Sequence, residues 1–251
     1  MPHTDDWFQK QANSFDSAAE VYERSRPRYP ADAVDWLMAS APSTVLDLGA
    51  GTGKFTRLIS KRVDTVIAVD PSERMLHQLS RAVPTADTRV GTGEHLPLDD
   101  KSVDAVFSAQ AWHWMDPATT VPEVARVLRD KGTLGLIWNV RDDRTDWVAR
   151  MSEIIHDGPS ADLSDNPPVL PESFGVIERF QTVWTHDLDR DEIAELTSSR
   201  SHFIVKDPAT QALILKQLRH LLDTHPETRD LERIPMPYLT LAYRAELRPV
   251  P

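Results

Sequence analysis

The stretch "LDLGAGTGKFT", Leu46 to Thr56, carries glycines at alternate positions, Gly49, Gly51 and Gly53, with Ala50 and Thr52 between them. Asp47 stands two residues ahead of the first glycine and Lys54 follows the last. Two nucleotide loops have this look. The phosphate-binding loop needs G-x-x-x-x-G-K-[ST], but the position five before Gly53 is Leu48 and Lys54 is followed by Phe55, so both ends fail. The dinucleotide fingerprint needs G-x-G-x-x-G; its third glycine would fall on Lys54, and it has no usual place for an acid inside the strand such as Asp47. What remains is G-x-G-x-G after a strand, with an acid just ahead.

The surroundings fit a strand, a turn and a helix. "TVLDL" (44–48) is a buried strand, and "FTRLISKRV" sets Phe55, Leu58 and Ile59 on one helical face. The alternation continues. "TVIAV" (65–69), "VDAVFSA" (103–109) and "TLGLIWN" (133–139) are strands. The helices between them carry Met75, Leu76 and Leu79, then Val121, Val124, Ala125 and Leu128. Strands that are near-continuous apolar runs, alternating with helices, predict a doubly wound α/β fold with a mostly parallel sheet and helices on both faces. "YPADAVDWLMAS" predicts a helix ahead of the first strand.

After residue 140 the pattern changes. "DWVARMSEII" is helical, and 158–173, with its prolines, reads as a loop. "RFQTVWTHDL" and "PYLTLAYRAEL" (237–247) read as two late strands. Between them Asp189 and Glu192 make a capping box, and "PATQALILKQLRHLL" is amphipathic, so a helical pair is expected there. The expected organisation is one domain over 1–251, a cap helix over 1–30, and a helical lid over 189–226.

The whole chain narrows the partners. It has 251 residues, 40% hydrophobic and 27% charged, enough for a sizeable core. A net charge of −11 repels phosphate backbones and anionic lipid, so neither nucleic acid nor membrane is expected. There is no cysteine, which removes disulfides, thiolate metal sites and a cysteine nucleophile. No metal-ligand spacing joins the histidines, and no metal is expected. The first ten residues hold no signal-like apolar stretch, which makes a cytoplasmic protein the expectation.

"VLDLGAGTGKFT" resembles the first motif of the class I S-adenosylmethionine-dependent methyltransferases. "VIAVDPSERML", ending a strand with Asp70 at 23 residues beyond Asp47, and "GTGEHLPLDDKSVDAVFSAQAWHWMD" are similar to later motifs of that family. The resemblance implies a Rossmann-like seven-stranded sheet and S-adenosylmethionine as cofactor. "FDSAAEVYERSRPRYP", "AQAWHWMD" and "WNVRDDRTDWVARM" resemble the small-molecule branch that includes trans-aconitate methyltransferase-type enzymes. The implied activity is methyl transfer to the oxygen, nitrogen or carbon of a small acceptor, a carboxylate among them. A nicotinamide-dependent oxidoreductase and a non-catalytic cofactor binder stay as alternatives.

The same resemblance assigns residues. Gly49–Gly53 would let the cofactor approach the backbone, Asp70, with Pro71 beside it, would take the ribose hydroxyls, and Met75 the adenine. Asp47 would orient the loop and reach the cofactor's amino group through water. "GTGEHLPL" stands where the family usually reads G-D-A-E-x-L-P, so Thr92, Gly93 and Glu94 are adenine-side candidates, with Thr92 in place of the usual acid. Gln110 follows a strand at the ligand edge of such a sheet. Trp112, His113 and Trp114 follow at the same strand end and would line the acceptor pocket, where an aromatic face near the cofactor's sulfonium would help through cation–π attraction, and His113 would be either a general base or a wall residue. Asn139, Arg141 and Trp147 are acceptor-pocket candidates, Arg141 through a substrate carboxylate. Tyr22 and Arg26 would fold over the cofactor.

Overall fold

In a computed structural model of the chain, residues 27–155 and 168–248 are described. The expected cap helix, with Tyr22 and Arg26, therefore lies almost wholly outside the described residues, as does most of the 158–173 loop.

The chain runs α1 (Ala31–Leu37), β1 (Thr44–Leu48), α2 (Thr56–Ile59), β2 (Thr65–Asp70), α3 (Glu73–Ala82), β3 (Asp87–Val90) and β4 (Val103–Ala109). It continues through a 3-10 turn (Trp112–Trp114), α4 (Pro117–Val127), β5 (Leu128–Arg141), α5 (Asp146–Ile155), β6 (Glu178–Leu188), α6 (Arg190–Ser198), α7 (Ser201–Ile204), α8 (Pro208–Thr224) and β7 (Ile234–Glu246). The seven strands form one sheet in the order β3-β2-β1-β4-β5-β7-β6. The ladders β3–β2, β2–β1, β1–β4 and β4–β5 are parallel. Strand order reverses between β1 and β4. In an open α/β sheet that reversal opens a crevice at the carboxyl ends of the strands, where ligands bind.

Local sequence explains most starts. Ser72 caps α3 by accepting from Met75 N, and Asp116 caps α4 ahead of Pro117. Asp189 and Glu192 close both halves of the expected capping box. Three helices, not a pair, stand between β6 and β7. The extra one, α7, has four residues, too few to show a helical period.

By contacts the chain divides into two compact units. Among described residues, the first holds 28–139, 168–182 and 240–248, and the second 140–155 and 183–239, with Pro27. The core of the first includes Val45, Val66, Phe107 and Ile137 of the strands with Val34 and Leu37 of α1. That of the second gathers Val148 and Met151 of α5, Leu218 and Leu222 of α8, and Tyr238. No helix among the described residues is long and apolar enough to cross a membrane.

Candidate functional site

The glycine turn leaves β1 and is tied to β2, with Gly49 N and Ala50 N both donating to Val69 O at 2.8 and 3.1 Å. Its glycines serve different needs. Gly49 has φ +73°, and a methyl group added there would sit 2.4 Å from the Ala111 Cβ, so close backbone packing excludes any side chain. Gly51 has φ +54°, yet an added methyl would meet nothing within 4 Å among the described residues. Among those residues Gly51 therefore borders open space, as expected where a ligand must reach the backbone.

Asp70 ends β2 and closes the turn. Its Oδ2 accepts from Gly51 N at 2.8 Å and its Oδ1 from Ser72 N at 2.9 Å. One carboxylate thus fixes both the glycine turn and the start of α3. Carboxylate oxygens have further acceptor capacity, so the same group can hold a diol.

Asp47 lies inside β1 between Ala68 of β2 and Phe107 of β4, with no solvent exposure. Its Oδ2 accepts from Thr56 Oγ1 at 2.6 Å, while its Oδ1 has no hydrogen-bond partner. Burial pushes its pKa up to about 7; the nearby Asp70 charge pushes the same way and the hydrogen bonds from Thr56 oppose it. A buried carboxylate oxygen without a donor is costly, and a cationic ligand group would relieve it.

The loop after β3 reaches the same place. Gly93 is buried, and a methyl group on it would lie 2.7 Å from Met115 Sδ, while one on Gly49 would lie 3.4 Å from Met115 Cε. Met115 thus links the two turns. Thr92 and Glu94 are exposed, and Glu94 Oε1 accepts from Asp116 N at 3.1 Å. A clamp stands behind this loop that the motif reading does not anticipate. Arg126 of α4 donates to Glu123, Asp100 and the carbonyls of Leu96 and Leu98. Glu123 in turn accepts from Leu96 N. Apart from the local Arg126–Glu123 pair, these bonds join residues 26 to 30 apart, which no local pattern announces.

Gln110 follows β4 with φ +58°, an uncommon backbone state for a residue with a Cβ. The strain is held by Gln110 N donating to Ile137 O and its Nε2 to Asn139 O at 2.7 Å. Asn139 is itself buried in a polar knot: its Oδ1 accepts from Thr240 Oγ1 at 2.6 Å and its Nδ2 donates to Arg28 O at 3.2 Å. Its side chain therefore ties β5, β7 and the segment before α1 together. In the 3-10 turn, Trp112 is buried, Trp114 half-buried and His113 exposed. The His113 and Trp114 rings are 4.8 Å apart, and Trp138 Nε1 donates to His113 Nδ1 at 3.3 Å. Trp138 escaped sequence reading because it sits in an apolar run that looks like core.

The first unit thus brings together the glycine turn, Asp47, Asp70, Thr92–Glu94, Gln110 and the aromatic turn. Arg141 and Trp147 belong to the second. There Arg141 is buried, its Nη2 3.4 Å from Ser152 Oγ, which donates to Asp143 Oδ1 at 3.1 Å. Trp147 packs in that unit's apolar core. Met75 is buried on α3 and Pro71 exposed at its entry. No group of three or more histidines and carboxylates suited to a metal occurs among the described residues.

A doubly wound sheet with this strand order, and a glycine turn and acid at its switch point, defines a nucleotide- or nucleoside-binding α/β enzyme class. Comparison with known proteins narrows it. Residues 46–136 match the family model of the methyltransferase domain. An uncharacterised methyltransferase of Mycobacterium tuberculosis is 48% identical over 235 residues, 93% of this chain and 96% of that one. An uncharacterised methyltransferase-like protein of Schizosaccharomyces pombe is 34% identical over 94% of this chain and 96% of its own. The solved structure of a protein described as a type II methyltransferase from Anaeromyxobacter dehalogenans shares the fold, with a TM-score of 0.65 at 22% identity, covering 89% of this chain and 97% of that one. The chain belongs to the class I S-adenosylmethionine-dependent methyltransferases.

The residues present fit that cofactor. Gly51 offers open backbone, Asp70 an acceptor for a ribose diol, and Asp47 a buried oxygen awaiting a cation. The glycines then separate binding from folding. Gly51→Ala is expected to cost only about 1–2 kcal/mol through its backbone strain, keeping a cooperative melt, while lowering cofactor affinity more than about tenfold. Gly49→Ala adds the collision with Ala111 and should destabilise by roughly 3 kcal/mol, in the range of overpacked cores. Thermal melts beside calorimetric titration of both variants check the contrast.

Proposed function

We propose that the protein transfers the methyl group of S-adenosylmethionine to a small-molecule acceptor with an oxygen, nitrogen or carbon nucleophile, a carboxylate among the candidates. The observation that carries this reading is the conjunction at the β1 and β2 ends: open space over Gly51, the Asp70 carboxylate and the partnerless oxygen of Asp47. Bound there, the cofactor would supply an electrophilic methyl group on a positively charged sulfur to the acceptor's lone pair. The protein's share is positioning and water exclusion. In this reading Gly49–Gly53 and Asp70 hold the methionine and ribose parts, and Asp47 faces the amino group. Met75 and Thr92–Glu94 flank the adenine. Gln110, Trp112, His113 and Trp114 line the acceptor side.

The resemblance to trans-aconitate methyltransferase-type enzymes favours an anionic acceptor. The net charge of −11 argues against nucleic acid and anionic membrane as substrates. A cytoplasmic location accords with the absence of cysteine. The test is calorimetric titration with S-adenosylmethionine, then a screen of small carboxylates, amines and phenols read by S-adenosylhomocysteine formation. Binding with turnover of one class supports the reading. A folded protein that ignores both forms of the cofactor but binds NADH would overturn it.

A further inference from the structure

We propose that Trp138 is a positioning residue that sets His113 as a hydrogen-bond donor, not a base, on the acceptor side of the site. The inference rests on the reading above for the location of His113, and on one contact for its chemistry. The indole Nε1–H of Trp138 points at His113 Nδ1 at 3.3 Å. An indole nitrogen only donates. The imidazole nitrogen facing it must therefore carry a lone pair, and the proton of the neutral ring sits on Nε2.

Both nitrogens are then committed. Nε2 holds a proton and has no lone pair with which to take another. Nδ1 has a lone pair, but it is engaged by the indole. Nδ1 can accept a proton only if that bond breaks, and Trp138 is buried, 2% exposed, so its N–H would lose its acceptor inside the protein. The indole cannot easily swing away, because its ring meets Tyr243 edge-on at 6.1 Å, and Tyr243 is itself buried. Trp138 follows Ile137 of β5, whose carbonyl accepts from Gln110 N, so the donor is fixed to the strand that also holds the turn before His113.

The consequence is a division of labour in methyl transfer. The acceptor's attacking atom must arrive with its lone pair available, because His113 does not remove a proton from it. His113 instead acts through Nε2–H, a donor and not a base. The electron count needs nothing more: the acceptor pair makes the carbon bond, and the carbon–sulfur pair neutralises the sulfonium.

The test reads the ring directly and needs no substrate. Long-range proton–nitrogen correlation spectra of the full-length, nitrogen-15-labelled protein at neutral pH distinguish the two neutral tautomers, with His113→Gln assigning the signal. His113 is expected wholly in the Nε2–H form. In Trp138→Phe a second, Nδ1–H form is expected to appear. The exposed position of His113 makes His113→Ala the gentler variant, and there the Trp138 indole proton should move upfield and exchange faster with solvent. A proton on Nδ1 in the wild type, or an indole signal that His113→Ala leaves unchanged, would overturn the proposal. Cofactor titration is unaffected by either result, so failure here stays distinct from failure of the methyltransferase reading.

Discussion

Asp70→Ala is expected to weaken S-adenosylmethionine binding by roughly 100-fold or more while leaving the protein folded. Two ribose hydroxyls on one carboxylate make two charge-assisted hydrogen bonds, each contributing about 1.5–3 kcal/mol. Their sum, about 3 kcal/mol at least, corresponds to two decades in affinity. The same carboxylate accepts from Gly51 N and Ser72 N, so its loss also loosens the turn that must lie against the cofactor. Folding should suffer less. Asp70 is half-buried, and the two amides it releases sit at the rim of the sheet where water can replace it. Asp70→Asn keeps one carbonyl oxygen without the charge and should fall between, near tenfold. Calorimetric titration with S-adenosylmethionine and S-adenosylhomocysteine, beside a thermal melt, decides. Affinity within threefold of wild type in a folded alanine variant would remove Asp70 from the site.

What could be read from sequence follows the reach of each interaction. The glycine turn, Asp70 and the capping box at Asp189 were legible because each is built from residues within a few positions of one another. Strand β3 was not picked out by its pattern: Asp87–Val90 is four residues long, at a sheet edge, and none of them is buried. Strand β5 begins at Leu128, five residues before the expected start, since Leu128 pairs with Val103 while Arg129–Lys131 stand exposed and Lys131 takes φ +64°. Those charged residues hide the strand from any hydrophobicity count. Strand β7 starts at Ile234, ahead of the expected Pro237, and runs through Pro235 and Pro237. Proline lacks the ladder donor and argues locally against a strand, but Pro237 O still accepts from Asp142 N at 3.0 Å.

The site divides the same way. Sequence places residues at the carboxyl ends of strands, and the fold does carry Gly49, Asp70 and Gln110 there. Sequence cannot supply partners from far along the chain. The Asn139 amide is engaged by Thr240 and Arg28, 101 and 111 residues away. Trp147 packs in the core with Met151 of its own helix and Tyr238 of β7. The donor from Trp138 to His113 spans 25 residues and two strands, and it changes what that histidine can do.

Asp47→Asn should make the protein more stable above neutral pH and worse at holding its cofactor. The folded pKa of Asp47 is raised from 3.8 to about 7, chiefly by burial. The folded state therefore binds this proton more tightly than the unfolded chain does. By linkage, the contribution of Asp47 to stability is fully present below about pH 3.8 and is lost as pH rises through 7. A rise of about three units, at 1.36 kcal/mol each, makes the loss about 4 kcal/mol at pH 8. Asparagine cannot ionise, and its carbonyl can still accept from Thr56 Oγ1. The variant should then melt roughly 8–15 °C above wild type at pH 8, with the gap closing towards pH 4. Cofactor affinity should move the other way, by tenfold or more at pH 8, since the ionised oxygen now lacking a partner is the one suited to an ammonium group. Melting curves from pH 4 to 8, with and without S-adenosylmethionine, test both halves. Parallel curves for the two proteins would mean that Asp47 is not strained by its burial. Diverging curves would identify a carboxylate kept in the sheet against the interest of the fold, which is the mark of a residue held for its ligand.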